Sequence, residues 1–431
     1  MHPQPAYRIP DARYALRPSR PVLPLLAYGT LGLSSCVTVK EPAPFDLLAL
    51  LLMVAYVLRN RTDPLHRRAD ASSVQIVFLL LLFALLQFLP ILLSAHDVAT
   101  SAFFAAVTGF LVLLGIHLAS LAGRRDPRFA AFIAGYAAAA VFSSLLAIAS
   151  LHPAVASLAP ETLHFAGRPK ALFKDPNVLG PYLVPAVLIF LVLAGRTHGW
   201  TRLAFLVLHL LCSAGVAVTA SRAAWVNLAI VMGLFLLLAP GRYKLLSAFA
   251  VLACATVLVT TADDLQRHES VRSTLNLLDG RLGLQHYDAE RFEMAHRAWR
   301  IGMDNPAGVG PGLVTTYRGD RTLAPHNTYL RIFAEHGAAG LVALAFALLM
   351  VTMRVLGQLL RSGRGRGRNI WFTAALCMLA GLLVNASVVD ALHWRHFWLV
   401  LAVGAFVSAQ PAATAAVRWS SQGRHELRSA Q

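Results

Sequence analysis

Charge is what this sequence has least of. Asp, Glu, Lys and Arg make up 14% of its 431 residues, where a soluble domain carries about 25%. That shortage excludes an ordinary soluble protein, because so little ionised surface cannot hold 57% hydrophobic residues in water. Mean hydropathy is +0.59. Acidic residues are scarcer still, 21 against 38 Lys and Arg, which leaves a formal net charge of +17. In a soluble chain that excess would point to nucleic acid. In a membrane chain it reflects Lys and Arg retained on cytoplasmic loops, so no nucleic-acid partner is expected. Cysteine is rare as well. Cys36, Cys212, Cys254 and Cys377 all lie in apolar runs with no C-x-x-C pair, which excludes a disulfide framework and a zinc site of that type. There is no H-E-x-x-H, no paired D-x-D and no trusted ligand spacing among the loop histidines, so no metal is expected. No G-x-S-x-G elbow is present. No small-residue cleavage site follows the polar, basic first 20 residues, and the first apolar run is expected to stay as a helix.

What the sequence has instead is apolar runs. A spanning helix needs about 20 mostly apolar residues. Runs near 21–39, 45–58, 75–94, 101–122, 129–151, 177–195, 202–219, 224–240, 245–262, 337–358, 370–388 and 395–410 predict about twelve spans. The expectation is an all-α polytopic membrane protein, one integral membrane domain over 1–431. With the N-terminus inside, 23 of the 38 Lys and Arg fall on cytoplasmic segments, six on short outer loops and nine in one long outer loop, 263–336. Both termini are therefore expected in the cytoplasm. The long loop has 74 residues, with ten acidic residues, nine arginines and five histidines. As the only sizeable polar segment it is the expected place for an active site, with 152–176 second. Arg168, Lys170, Lys174, Arg222 and Arg395 break the charge rule by lying outside beside spans. An anion at the outer membrane face, such as a lipid-linked phosphate, accounts for them; hydration, or pairing with Asp175 and Asp390, is the plainer alternative.

Within the long loop, DAERFEMAHRAWRIGM (288–303) has helical spacing, with Asp288 as N-cap and Phe292, Ala295, Trp299 and Met303 as a buried stripe. Arg291 falls in the first turn, where the helix dipole disfavours a cation; a bound anion, or Glu290 or Glu293, would offset that. PAGVGPG (306–312) reads as a turn that lets backbone approach a ligand closely. It lacks the Gly-Lys-Ser/Thr end of a phosphate loop, so no nucleotide is expected. PHNTYLRIFAEHGAAGL (325–341) starts a further helix at Pro325, with His326 in its first turn and Gly337 and Gly340 opening the next span. A histidine at a helix N-terminus is biased toward the neutral form, the form a general base needs.

These residues carry a family resemblance. HNTYLRIFAEHGAAGL resembles the H-N-x-Y-L…E-x-G-x-x-G-L signature of the O-antigen ligase and polymerase superfamily. TASRAAW (219–225) resembles that family's Ser-Arg turn between spans, and GRPKALFKDPNVLGPYL (167–183) its Arg…Pro-Asn segment. ERFEMAHRAWRIGMDNPAGVGPG is similar to the helix and turn before the histidine. The matches run in order from about 167 to 341; the first five spans match in topology alone. The resemblance implies a metal-independent glycosyltransferase of the GT-C type, without a cofactor, in the inner membrane of a Gram-negative bacterium with its active site facing the periplasm. It implies undecaprenyl diphosphate-linked O-antigen as donor and lipid A–core oligosaccharide as acceptor. Arg222 and Arg291, with Arg168 as a further candidate, would bind the diphosphate, and His326 would activate the acceptor hydroxyl. Lys170, Lys174, Asn327, Tyr329, Asp390 and Arg395 are further candidates for substrate contact.

The nearest rival is an O-antigen polymerase, whose acceptor is a second lipid-linked glycan. The R-x10-G spacing at Arg291–Gly302 does not separate the two, since about two such hits arise by chance at this composition. A protein O-oligosaccharyltransferase and a transporter or flippase follow. Against transport stand the few mid-span ionisable residues, His117 and His209 the clearest, and the lack of an internal repeat.

Overall fold

The computed structural model describes residues 22–59, 71–260, 276, 280, 286–317, 324–361 and 369–408. Every apolar run read from the sequence holds a helix. In chain order these are α1 (Val22–Ser34), α2 (Pro44–Arg59), α3 (Ala71–Leu86) continued by the short α4 (Phe88–Leu93), α5 (Val98–Gly123) and α6 (Pro127–Ala149). Two single-turn helices, α7 (Pro153–Ala156) and α8 (Pro160–Leu163), lead to a small hairpin of β1 (His164–Phe165) and β2 (Arg168–Pro169). Then come α9 (Pro176–Ala194), α10 (Gly199–Val218), α11 (Arg222–Leu238), α12 (Gly241–Thr260), α13 (His286–Asp304), α14 (Thr328–Arg361), α15 (Ile370–Val388) and α16 (Arg395–Ser408).

Seven of these segments are long and apolar enough to cross a bilayer: Ser73–Leu93, Val98–Gly123, Pro127–Ala149, Pro176–Ala194, Gly199–Val218, Thr328–Arg361 and Ile370–Val388. Val22–Ser34, Arg222–Leu238 and Arg395–Ala405 are apolar but shorter. The chain is a multi-pass α-helical membrane protein, and seven spans stand on length and composition where about twelve are predicted.

Scarce polar residues are concentrated at helix starts. Asp97, Asp126, Asp175, Ser221 and Asn369 each accept a hydrogen bond from a backbone N–H in the first turn that follows, satisfying donors that have no partner within the helix. The centre of the bundle is α9. It is apolar all round and buried along nearly its whole length, enclosed by α6, α10, α11, α12 and α15. α1 crosses α6 on glycine. A Cβ at Gly32 would lie 2.1 Å from the Phe132 carbonyl oxygen, and one at Gly135 2.0 Å from that of Gly29, the close backbone approach that small residues permit between membrane helices.

α14 is broken at Gly337, with φ 68° and ψ −174°. The break falls where the sequence places the start of a span, and the PAGVGPG turn fills it. Val309 N donates to the Ala334 carbonyl (3.0 Å), Gly310 N to that of Glu335 (3.0 Å), and Ala338 N to that of Pro306 (3.2 Å). These bonds occupy backbone groups that a break would otherwise leave unpaired away from water. The turn's closeness is thus to its own chain, since a Cβ at Gly308 would sit 2.4 Å from the Glu335 carbonyl oxygen.

Three expectations for the long loop are corrected. α13 begins at His286, so Asp288 lies inside its first turn and is not the cap. Its apolar stripe is not buried: Phe292 is 68%, Trp299 51% and Met303 59% exposed. Ala298 and Ile301, on another face, are the residues that pack inward, with Val309, Leu313 and Ala334. The third correction concerns the histidine helix, which begins at Thr328 rather than Pro325.

Candidate functional site

Two clusters at one end of the bundle gather most of the residues singled out by the sequence. The first starts from the hairpin. Ala166 (φ 49°) and Gly167 (φ 74°) form its two-residue turn, both with the positive φ that tight hairpins favour. Phe165 pairs with Arg168 across it. Arg168 is buried; its Nε donates to the Thr219 carbonyl at 3.0 Å and a terminal nitrogen to Asn177 Oδ1 at 3.0 Å. Asn177 stands in the first turn of α9, its own N–H held by Asp175 Oδ1 at 2.6 Å. Ser221 Oγ donates to the same Asn177 oxygen at 2.9 Å and receives the Ala224 N–H at 3.4 Å as the cap of α11. Two motifs more than 40 residues apart, GRPK…DPN and TASR, therefore form one network. Arg222, half-buried, is the first residue of α11 at its edge. Lys170 is buried beside the hairpin, its backbone N–H bonded to the Leu163 carbonyl.

The second cluster is the start of α14. Asn327 is its cap, Oδ1 accepting from Tyr329 N and Leu330 N, both at 3.0 Å. The Asn327 amide also donates to the Ser387 carbonyl at 2.8 Å. Thr328 Oγ1 bridges the Val389 carbonyl (3.0 Å) and the Ala391 N–H (2.8 Å), and Tyr329 OH donates to the Leu383 carbonyl at 2.9 Å. Three consecutive side chains thus bolt α14 to the end of α15. His326 stands just before the cap, outside the helix that was predicted to contain it, in the left-handed region with φ 45°. Its ring has no hydrogen-bond partner among the described residues.

Burial holds the His326 imidazole below its ordinary pKa, and the charge of Arg291 pushes it further down; Asp390 and Asp175 oppose both. The balance is a neutral ring at pH 7. Arg291, half-buried on α13, is therefore near enough for its charge to act on His326.

Sequence reasoning missed Arg331, Glu335 and His393, and the partners that Asp390 and Arg395 find. Arg331 pairs with Asp390 and, at 3.1 Å, with the buried Glu335. Burial would raise the Asp390 carboxyl, but the Arg331 charge and hydrogen bond hold it below the usual carboxylate range. His393 Nε2 is 3.0 Å from Thr108 Oγ1. Burial and the Arg331 charge take its pKa down to about 4, with Lys174 adding to the effect against Asp390. Arg395 closes a two-pronged ion pair on Asp46, with Nε 2.8 Å from Oδ1, tying α16 to α2. The signal available for Arg331 and Glu335 was their i, i+4 spacing inside an otherwise apolar motif.

A cavity of about 250 Å³ opens beside the cluster. Lys174, Arg331, Asp390, His393 and Arg395 line its polar part, with Phe104, Phe173, Tyr182 and Trp394 as aromatic walls. Thr108 lies ten residues into α5, about 15 Å along its axis, so the 389–394 loop dips below the helix end. Among the described residues no group of three or more His, Cys, Asp or Glu side chains is placed to hold a metal ion.

No curated protein matches the sequence. Residues 204–345 match the family model described as O-antigen ligase. That segment runs from α10 into α14 and contains Arg222, Arg291 and His326; over it the chain is similar to that family.

Proposed function

We propose that the protein is an inverting glycosyltransferase that moves an O-antigen glycan from undecaprenyl diphosphate to the lipid A–core oligosaccharide. The site end of the bundle then faces the periplasm of a Gram-negative inner membrane, with both termini cytoplasmic, about twelve membrane crossings and a GT-C architecture. The observation that carries the reading is His326 held just before the Asn327 cap of α14, its imidazole kept below its ordinary pKa by burial and then by the charge of Arg291. Neutral imidazole takes the proton of the acceptor hydroxyl as its oxygen bonds to the anomeric carbon. The bond from that carbon to the phosphate oxygen breaks, and the electron pair leaves with undecaprenyl diphosphate. Arg222 and Arg291 offset the charge that builds there, and guanidinium groups suit the forked geometry of phosphate. Arg168 and Lys170 support that wall from the hairpin, Arg168 by fixing the Thr219 and Asn177 segments. No metal and no nucleotide enters the reaction, since the activated donor supplies the driving force.

The cavity suits the acceptor. Its arginines are already matched by carboxylates, Arg331 by Asp390 and Glu335, Arg395 by Asp46. What remains is a near-neutral space with aromatic walls and Lys174 at its rim, which fits a hydroxyl-rich sugar ring better than a second phosphate. Asp390 links the two places, lining the cavity and acting on His326. Asn327 and Tyr329 hold the frame between them.

Lipopolysaccharide from a deletion strain tests the assignment. Lipid-linked polymer that accumulates while the core stays uncapped is the expected result. Core carrying a single repeat unit would make the protein a polymerase, and an unchanged glycan profile would remove both readings.

A further inference from the structure

Helix α13 has three faces. Ala298 and Ile301 are buried against the Gly/Pro turn and the start of α14. Glu290, Glu293, Arg300 and Asp304 form an exposed polar band. Phe292, Trp299 and Met303, spaced seven and four apart and so aligned on one line of the helix, are all more than half exposed. Trp299 meets the Phe333 ring at a centroid distance of 5.3 Å, and Gly302 lets the same ring approach. Phe333 lies four residues before the Gly337 break, beyond which α14 presents Val342, Phe346 and Leu349 outward as an apolar face. α13 is thus fastened to α14 just before the break, next to that apolar face.

We infer that the Phe292–Trp299–Met303 stripe is seated in the lipid bilayer, at the boundary between head groups and acyl chains. An exposed apolar line beside a polar band is the pattern of a helix lying in that layer, and tryptophan favours that depth. Arg300 borders the stripe, where a cation meets lipid phosphates. The seating has a consequence for Arg291, which points from another face of the same helix: the membrane sets its height. An arginine fixed at head-group level meets a lipid-borne diphosphate at the depth where such a group resides. This last step rests on the donor proposed above; the seating does not.

The test uses full-length protein in phosphatidylethanolamine–phosphatidylglycerol vesicles, with the four native cysteines replaced and a polarity-sensitive fluorophore on Met303→Cys or, on the polar band, Glu293→Cys. Nitroxide placed high on the lipid acyl chain is expected to quench position 303 severalfold more than position 293, and aqueous iodide the reverse. Phe292→Cys serves as a second reporter on the stripe. Equal lipid quenching at 303 and 293 overturns the proposal. So does a position 303 shielded from both quenchers, which would mean that protein, from this chain or a second copy, covers the stripe. In a transfer assay Trp299→Glu is expected to raise KM for the lipid-linked donor severalfold with kcat retained. If KM is unmoved while the quenching contrast holds, the seating stands and its link to Arg291 is refuted.

Discussion

His326 and Arg291, whose charge acts on that histidine, are carried by scaffolds of different kinds. The histidine is delivered by a helix start bolted through Asn327, Thr328 and Tyr329 to the end of α15. The arginine is delivered by α13, held mainly by small and aliphatic contacts, Ala298 and Ile301, with Trp299 against Phe333 and one long hydrogen bond from Arg297 to the Tyr317 carbonyl at 3.4 Å. Directional hydrogen bonds fix angle as well as distance, whereas aliphatic packing fixes separation with little directional preference. A proton acceptor needs the first kind of support, because transfer fails when the ring is misaimed. A cation opposite a diffuse diphosphate charge needs only the second. On this reading the site combines a rigid base with a more adaptable electrostatic partner.

Substitutions break that comparison in graded steps. His326→Ala is expected to lower glycan transfer by roughly 10²- to 10⁴-fold, the contribution of a general base, while protein abundance in the membrane stays level; near-normal transfer would show that the base lies elsewhere. Arg291→Gln should cost about 10- to 100-fold, in line with a charged hydrogen bond, and it carries a second signature. In the unmutated protein the imidazole is pushed down by burial and by Arg291, so activity should persist below the pH at which free imidazole protonates. Removing that cation raises the histidine pKa, and the acidic limb of the rate profile moves to higher pH. A fixed limb would separate the two residues. Arg291→Lys tests the forked contact, which full activity would contradict.

On the rigid side, Thr328→Val leaves the Val389 carbonyl and Ala391 N–H without their shared hydroxyl, at a cost of about 1–3 kcal/mol. Asn327→Ala removes the cap, worth about 1 kcal/mol. Both should lower the thermal midpoint in detergent and reduce kcat more than donor affinity. A loss confined to affinity would mean that these side chains touch substrate instead of holding the frame.

Much of this arrangement was legible in the sequence. The positions of the apolar helices, the helix near 288–303 and the change of element at Gly337 follow from local signals: apolar length, helical spacing and a glycine where the backbone turns. The resemblance ordered the Arg168, Arg222, Arg291 and His326 segments, and Arg168 does meet the TASR turn. What eluded the reading was pairing across distance. Arg395 and Asp46 are 349 positions apart, and Arg331 and Asp390 are 59; one sequence holds no trace of such partners. The stripe on α13 was found by its spacing but expected to be buried, and that error has another cause. Spacing reveals which residues share a line but not what covers them, and in a membrane protein an apolar line can face outward. The Gly/Pro turn made a parallel error: its glycines do permit close approach, and the approaching group is the chain itself.

The enclosed position of α9 has a consequence for biogenesis. It is apolar enough to enter a bilayer unaided, yet the finished protein leaves it almost no lipid-facing side. Of the helices around it, α10, α11, α12 and α15 are all translated later. During synthesis α9 therefore stands with surface uncovered that the mature molecule buries, including the neighbourhood of Pro181 and Pro185, where the helix lacks two of its own N–H donors. Closure waits for α15, nearly 180 residues further on. Assembly of the site, whose histidine frame is bolted to that same helix, and closure of the core are then one event that waits for α15.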